Sequence, residues 1–163
     1  MPPLSEADSL GLETAYLAAK RSYDAGGIPI GSCLVHHAAH TPKVLGKGCN
    51  MRVQKDSATL HGEISALENA GRLKAAVYRG STIYTTLSPC IMCTGAILLY
   101  RIPRVVIGEN HNYVGGEALL KQHGVEVVVV DDARCRELME RFIREKPEIW
   151  YEDIGEETPR GHT

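Results

Sequence analysis

No segment of this chain approaches the roughly 18–20 consecutive apolar residues that a membrane-spanning helix requires. No run of Lys and Arg occurs either, and 18 basic against 20 acidic residues leave a net charge of −2. Long polynucleotides are therefore disfavoured as partners, although a near-neutral total leaves room for a local basic patch. The opening Met1-Pro2-Pro3-Leu4-Ser5-Glu6 lacks the basic and apolar regions of a secretory signal. Five cysteines, Cys33, Cys49, Cys90, Cys93 and Cys135, make an odd set, which fits a reducing compartment better than a disulfide framework. We therefore expect a cytoplasmic protein, nuclear presence being compatible, with no nucleic acid and no membrane among its partners. No repeat or linker interrupts residues 1–163, so one domain is expected, with 1–6 and 156–163 as flexible ends. What remains is ordinary globular material, 44% apolar and 23% charged, enough for a real core.

Ser5-Glu6-Ala7-Asp8 has the form of a helix start, with Ser at the N-cap and an acid three residues on. Leu12, Ala15, Tyr16 and Ala19 follow at helical spacing, up to the breaker Gly26-Gly27. Residues 28–35 and 44–49 read as two strands joined by a polar hairpin loop over 36–43. A helix is expected from about His61 to Gly71. The β-rich stretch 81–87 leads into Ser88-Pro89, read as the N-cap and first position of a helix carrying Cys90, Cys93, Ile97 and Leu98. Pro103 ends that segment. Beyond it, 104–108 reads as a buried strand, 117–123 as a short helix and 125–130 as a further strand. Asp131-Asp132 caps a helix through Leu138, Phe142 and Ile143, which Pro147 breaks ahead of Glu148-Ile149-Trp150-Tyr151. Alternating strands and helices in the second half imply parallel pairing, and the first hairpin is antiparallel. The expected fold is α/β: three layers, with a mixed five-stranded sheet covered on both faces.

His61-Gly62-Glu63, followed by Pro89-Cys90-Ile91-Met92-Cys93, carries the chemistry. One imidazole and two thiols make three zinc ligands and leave the fourth tetrahedral position for water; a structural site would be closed by four. Cys90 and Cys93, three apart on one helix, face the same way in a first turn whose free N–H groups favour thiolate. Glu63, two residues from the imidazole, is placed to move protons without being a ligand. H-x-E with P-C-x-x-C is the signature of zinc-dependent nucleobase deaminases. Zinc lowers the pKa of bound water to roughly 7. One carboxylate beside both water and ring can then serve attack on the ring carbon, protonation of the ring nitrogen and departure of the amine.

Other readings attach to the same residues. C-x-x-C alone reads as a redox pair, which would bind no metal. A non-catalytic zinc domain would need a fourth ligand, and Cys49 is the cysteine nearest a motif. Glu63 alone is a first-turn acid complementing the helix dipole. Trp150 and Tyr113 alone are core residues. His36, His37 and His40 read as solvated loop histidines, and Cys33 and Cys135 as buried apolar residues.

Longer stretches extend the match: Gly26-Gly27-Ile28-Pro29-Ile30-Gly31, Ala58-Thr59-Leu60-His61-Gly62-Glu63-Ile64-Ser65, and Leu87-Ser88-Pro89-Cys90 running on through Cys93-Thr94-Gly95-Ala96-Ile97. With Gly108-Glu109-Asn110, residues 127–132 and Trp150-Tyr151-Glu152-Asp153-Ile154-Gly155, these resemble the fungal cytosine deaminase family, within the cytidine/deoxycytidylate deaminase-like zinc superfamily. The resemblance spans nearly everything from about Leu10 to Gly155. It implies a cytidine-deaminase-like α/β/α fold, one Zn2+ per chain and a homodimer. It also implies a hydrolase of pyrimidine salvage, acting on free cytosine and on 5-substituted cytosines such as 5-fluorocytosine. By position it implies His61, Cys90 and Cys93 as zinc ligands, and Glu63 as proton shuttle for the hydroxide that attacks C4. Asn50 and the Gly62 N–H would bind the pyrimidine edge, Asp153 the amine end, and Ser88 would lie near the leaving group. Tyr113 and Trp150 would wall the pocket and the C-terminal segment would close it. Such a closing segment leaves little room for ribose, which favours a free base over the nucleoside, nucleotide, guanine or tRNA-adenosine substrates of the same fold. Tyr113 stands where phenylalanine is expected, and Val114-Gly115-Gly116, the loop 36–43 and the tail after Gly155 also depart from the family.

Overall fold

The computed structural model describes residues 4–37 and 41–159. His40 and the chain ends 1–3 and 160–163, to which earlier expectations applied, lie outside the described residues. Helix α1 (Glu6–Asp24) starts where the Ser-x-x-acid pattern implied: Ser5 Oγ accepts from the Asp8 N–H at 3.0 Å. Strands β1 (Gly31–His36) and β2 (Lys43–Cys49) form the antiparallel hairpin. The first strand begins later than its apolar run suggested, because Ile28 and Ile30 leave the sheet. They join Leu87, Met139, Phe142 and Trp150 in a separate apolar cluster. At its other end β1 takes in His36, and the exposed His37 lies 2.8 Å from Thr82 Oγ1.

After α2 (Arg52–Lys55), α3 (Gly62–Ala70) and α4 (Ala75–Arg79), the chain alternates as expected. In order come β3 (Ser81–Leu87), α5 (Ile91–Leu99), β4 (Arg104–Glu109), α6 (Glu117–Gln122), β5 (Glu126–Val129) and α7 (Ala133–Glu145). The single-turn α2 and α4 are too short for any periodicity to announce them. Pro147 does more than break α7. It occupies the first turn of a further helix, α8 (Pro147–Asp153), where its missing N–H costs nothing.

The sheet order is β2-β1-β3-β4-β5, with β1 antiparallel to both neighbours and β3, β4 and β5 parallel. Side chains alternate across it with a period of two. Cys33, Val35, Tyr84 and Val106 meet Leu12 and Ala15 of α1 on one face. Leu34, Ile83, Val105 and Ile107 meet Leu67, Ile97 and Leu120 of α3, α5 and α6 on the other. The layers are therefore three, and β3 is buried along its whole length. Approach of α1 is close enough that a Cβ at Gly31 would overlap the Ala15 carbonyl oxygen.

A polar group pins α1 to the sheet. Arg104 Nη1 and Nη2 donate to Asp8 at 2.6 and 3.2 Å, and Tyr84 OH donates to the same carboxylate at 2.9 Å. Burial alone would raise the Asp8 pKa, but the hydrogen bonds from Arg104 and Tyr84 outweigh it and hold it below its ordinary 3.8. Cys33 and Cys135 are buried as expected, and desolvation pushes both thiols up to about 12. Among the described residues no helix is long and apolar enough to cross a membrane.

Candidate active site

Two helix mouths meet beyond the carboxyl end of β3, the region where open α/β sheets hold their ligands. His61 is the N-cap of α3 and Cys90 the N-cap of α5, with Glu63 and Cys93 in the respective first turns. This corrects the expected start of the second helix, since Cys90 and not Ser88 is the cap. The Ser88 hydroxyl is engaged elsewhere: it donates to the buried Glu117 carboxylate at 2.7 Å and accepts from the Gly115 N–H at 3.0 Å. The oxygen that a cap would offer to a helix N–H accepts from Gly115 instead, and the carboxylate takes the hydroxyl proton. The departure Val114-Gly115-Gly116 has a steric account here. A Cβ at Gly115 would overlap the Pro89 carbonyl, and one at Gly116 would overlap Thr94.

His61, Cys90 and Cys93 each bring one donor atom, and these lie within 4.8 Å of one another. Cys90 Sγ is 3.4 Å from His61 Nδ1. Donors bound at about 2.0–2.3 Å around a tetrahedral zinc stand roughly 3.3–3.8 Å apart, so the residues fit the ion in chemistry and spacing. His61 Nε2 faces Asp153 Oδ1 at 3.5 Å, which turns Nδ1 toward the thiols. The hydrogen bond with Cys93 prevails over desolvation and, with His61, lowers the Cys90 thiol to about 4. Cys93, on the other side of that bond, is pushed up. Cys49, the candidate fourth ligand, is not in the donor group; its Sγ lies 3.6 Å from Met51 Sδ.

Glu63 is buried, 3% exposed, and accepts from Thr85 Oγ1 at 2.7 Å. Desolvation raises its pKa even though the Thr85 bond opposes the shift. Opposite, Asn50 Nδ2 donates to Asp153 Oδ1 at 2.8 Å while Asn50 Oδ1 accepts from the Arg52 N–H at 3.0 Å. The amide keeps one donor hydrogen and one lone pair. Burial raises the Asp153 pKa against the pull of His61, Asn50 and Arg52.

These groups surround a small cavity lined by Ile30, His61, Glu63, Leu87, Ser88, Cys90, Tyr113, Trp150, Asp153 and Ile154. Tyr113 meets Trp150 edge-on, with centroids 6.1 Å apart and planes at 84°. Cys93, Asn50 and Gly62, also expected at the site, are not among the lining residues.

Residues 5–109 match the family model described as the cytidine and deoxycytidylate deaminase zinc-binding region. The chain belongs to this deaminase family. A cytosine deaminase of Candida albicans is 60% identical over 149 residues, 91% of this chain and 97% of the relative. A tRNA-specific adenosine deaminase of Buchnera aphidicola subsp. Schizaphis graminum is 36% identical over 119 residues, 72% and 76% of the two chains. Among solved structures, a tRNA:A34 deaminase shares the fold with a TM-score of 0.65 at 24% identity, over 80% of this chain and 99% of that one. A guanine deaminase from Nitrosomonas europaea gives 0.63 at 19%, over 86% and 87%. The protein is thus a zinc-dependent deaminase, a hydrolase acting on C–N bonds.

Three polar supports of this deaminase leave almost no mark in its sequence. Thr85 holds Glu63, Glu117 holds Ser88, and Arg52 reaches Asp153 at 3.4 Å. Each lies in an unremarkable local pattern, and only the contact distinguishes it. The one hint was position, since Arg52 stands two residues after Asn50.

Proposed function

We propose that this deaminase, acting as one domain in the cytoplasm, hydrolyses free cytosine to uracil and ammonia and accepts 5-substituted cytosines, as pyrimidine salvage requires. The observation that carries the reading is the C-terminal segment along the cavity wall. Two of the lining residues, Trp150 and Ile154, belong to this segment, and Trp150 is 3% exposed. A ribose on the base would have to share that wall with Trp150 and Ile154, which favours the free base. The 60% identity to a cytosine deaminase supports the same substrate.

His61, Cys90 and Cys93 would hold zinc, which when bound supplies Lewis-acid activation of water near neutral pH. Glu63 takes a proton from the attacking water as oxygen bonds to C4, and delivers it to the adjacent ring nitrogen. A second proton passes through the same carboxyl to the amine, the C4–N bond breaks, and ammonia leaves with Glu63 ionised again. Thr85 keeps the carboxylate aimed through these transfers. The family resemblance gives Asn50 and the Gly62 N–H the pyrimidine edge, although neither lines the cavity; of the lining residues, Asp153 accepts from the exocyclic amine, Ser88 borders its exit, and Tyr113 and Trp150 wall the ring. Desolvation raises the Glu63 pKa against the Thr85 bond, the direction that eases protonation of a carboxyl that must both take and give protons.

The partner is a small pyrimidine base, and the protein works as a homodimer. Helix α5 has no charged residue, yet Ile91 and Leu99 are 68% and 73% exposed on it. A helix apolar on all sides is normally covered, and a second copy of the same face is the simplest cover. Leu99→Glu should shift sedimentation toward monomer.

An ultraviolet assay of zinc-quantified protein with cytosine and cytidine side by side tests the substrate. Conversion of cytosine alone is expected. Comparable conversion of cytidine would overturn the closed-pocket reading, and turnover of neither would redirect the search to purines and tRNA.

A further inference from the structure

Arg52 is the residue at this site that neither the motif nor the proposed proton transfers use. It opens α2, two residues past Asn50, and its side chain is only 17% exposed. Nε donates to the Ala58 carbonyl at 3.2 Å, Nη1 to Asp153 Oδ1 at 3.4 Å, and Nη2 lies 3.6 Å from Glu152 Oε1. One guanidinium therefore joins the loop beside Asn50 to the last turn of α8.

Helix α8 is also held by Asn50, which donates to Asp153 at 2.8 Å, and by Trp150 in the cluster with Ile28 and Phe142; Arg52 adds a tie to its last turn. The helix has seven residues, too few to hold a helix by themselves. Lys146 alone separates it from α7, which is the element whose backbone packs closely against it. Trp150 on α8 and Ile154 just past its end line the cavity, and Trp150 is 3% exposed. Glu63 lines the same cavity, so a base seated beside Glu63 meets this segment.

We propose that Arg52 is a positioning residue that latches α8 over the cavity, favouring the closed arrangement in which Trp150 and Asp153 meet the base. The inference rests on reading this cavity as the base site. The guanidinium acts through Asp153 and Glu152 and touches no substrate atom. Weakening the latch lowers the closed fraction of the free protein, and apparent affinity falls in proportion. Once bound, the base itself holds α8, so the chemical step is kept and opening is faster.

Trp150 is the only tryptophan of the chain, so its fluorescence reports α8 directly. In zinc-quantified protein, Arg52→Ala should raise acrylamide quenching of Trp150 at least about twofold. It should also raise KM for cytosine about tenfold, with kcat lowered less than about threefold, the pattern of lost binding without lost transition-state contact. Arg52→Lys should recover part of both, and Glu152→Gln, whose side chain is 75% exposed, should show smaller changes of the same sign. Quenching needs no substrate, so it tests the latch even if cytosine proves to be the wrong base. Wild-type cytosine turnover with unchanged quenching and KM in Arg52→Ala sinks the latch and leaves the function standing. A kcat loss at constant KM would also overturn it, as would loss of zinc or of far-ultraviolet circular dichroism in both Arg52→Ala and Arg52→Lys.

Discussion

Helices α1 and α7 begin on side chains that close their own backbone. Ser5 accepts from the Asp8 N–H at 3.0 Å and Asp132 from the Arg134 N–H at 2.9 Å. Helices α3 and α5 begin on His61 and Cys90 in the same extended conformation, with φ near −65° and ψ of 166° and 174°, yet neither side chain caps its helix. The framing helices use their first residue for stability; the site helices turn it toward the cavity as a metal donor. Their free N–H groups and positive dipole ends then favour thiolates at that point. Helices begun in this way must be held from elsewhere, and they are: by Leu67 and Ile97 in the core, Thr85 beneath Glu63, and Asp153 behind His61.

Breaking the donor end should have the largest effect. His61→Ala or Cys93→Ala should leave no stoichiometric zinc and no measurable turnover. Chelation of the intact protein should lower its Tm in calorimetry, because metal that binds only the folded chain stabilises it. Ser5→Ala, at the other kind of helix start, should keep its zinc. Next comes Glu63→Gln, expected to lose about 10²–10⁴-fold in kcat with zinc content and Tm retained. A zinc-replete variant with near-normal turnover would remove Glu63 from the proton path.

On the framing side, Asp8→Ala should cost about 2 kcal/mol in urea unfolding, since it strips a partner from Arg104 and Tyr84 in a mostly buried group. Arg104 is partly exposed, at 24%, which keeps the figure below the roughly 3–5 kcal/mol lost on breaking a fully buried pair. Its pH signature has a definite sign. Asp8 is held below 3.8 by Arg104 and Tyr84 against burial, and Asp132 by Arg134 against burial. Their stabilisation is therefore full above pH 3.8 and disappears as pH falls through the lower folded values. Acid titration should show Asp8→Ala and Asp132→Ala converging on the wild type below that range.

The smallest effect sharpens the comparison most. Ser5→Ala should cost about 1 kcal/mol, whereas Cys90→Ser should stabilise zinc-free protein by up to about 1 kcal/mol, because serine in that extended backbone can cap α5. Urea unfolding after chelation checks it; a less stable Cys90→Ser would show that the uncapped start of α5 has another cause.

Much of this was legible in sequence because its cause is local. Ser5 and Asp132 announce helices, period-two alternation sorts Cys33 and Val35 from Leu34, and C-x-x-C needs only one helical turn to bring two sulfurs to the same side. The fold class, five mixed strands and the three metal donors followed from such signals. Ser88 was misread as a cap because Ser-Pro is a good local helix start, while the carboxylate that claims its hydroxyl sits on α6, 29 residues away. Pro147 signals only a break in the local sequence, because Pro ends one helix and begins another with the same φ.

By itself the sequence determined which atoms can bind metal and move protons, and which faces of each strand and helix are apolar, since composition and spacing dictate both within a few residues. The tertiary structure decided what those atoms face. Asn50 meets Asp153 across 103 residues of chain, Thr85 meets Glu63, and Arg52 reaches the end of α8. Hydrogen bonds of that kind depend on distance and direction in space, and the three-layer packing of the sheet is what sets them.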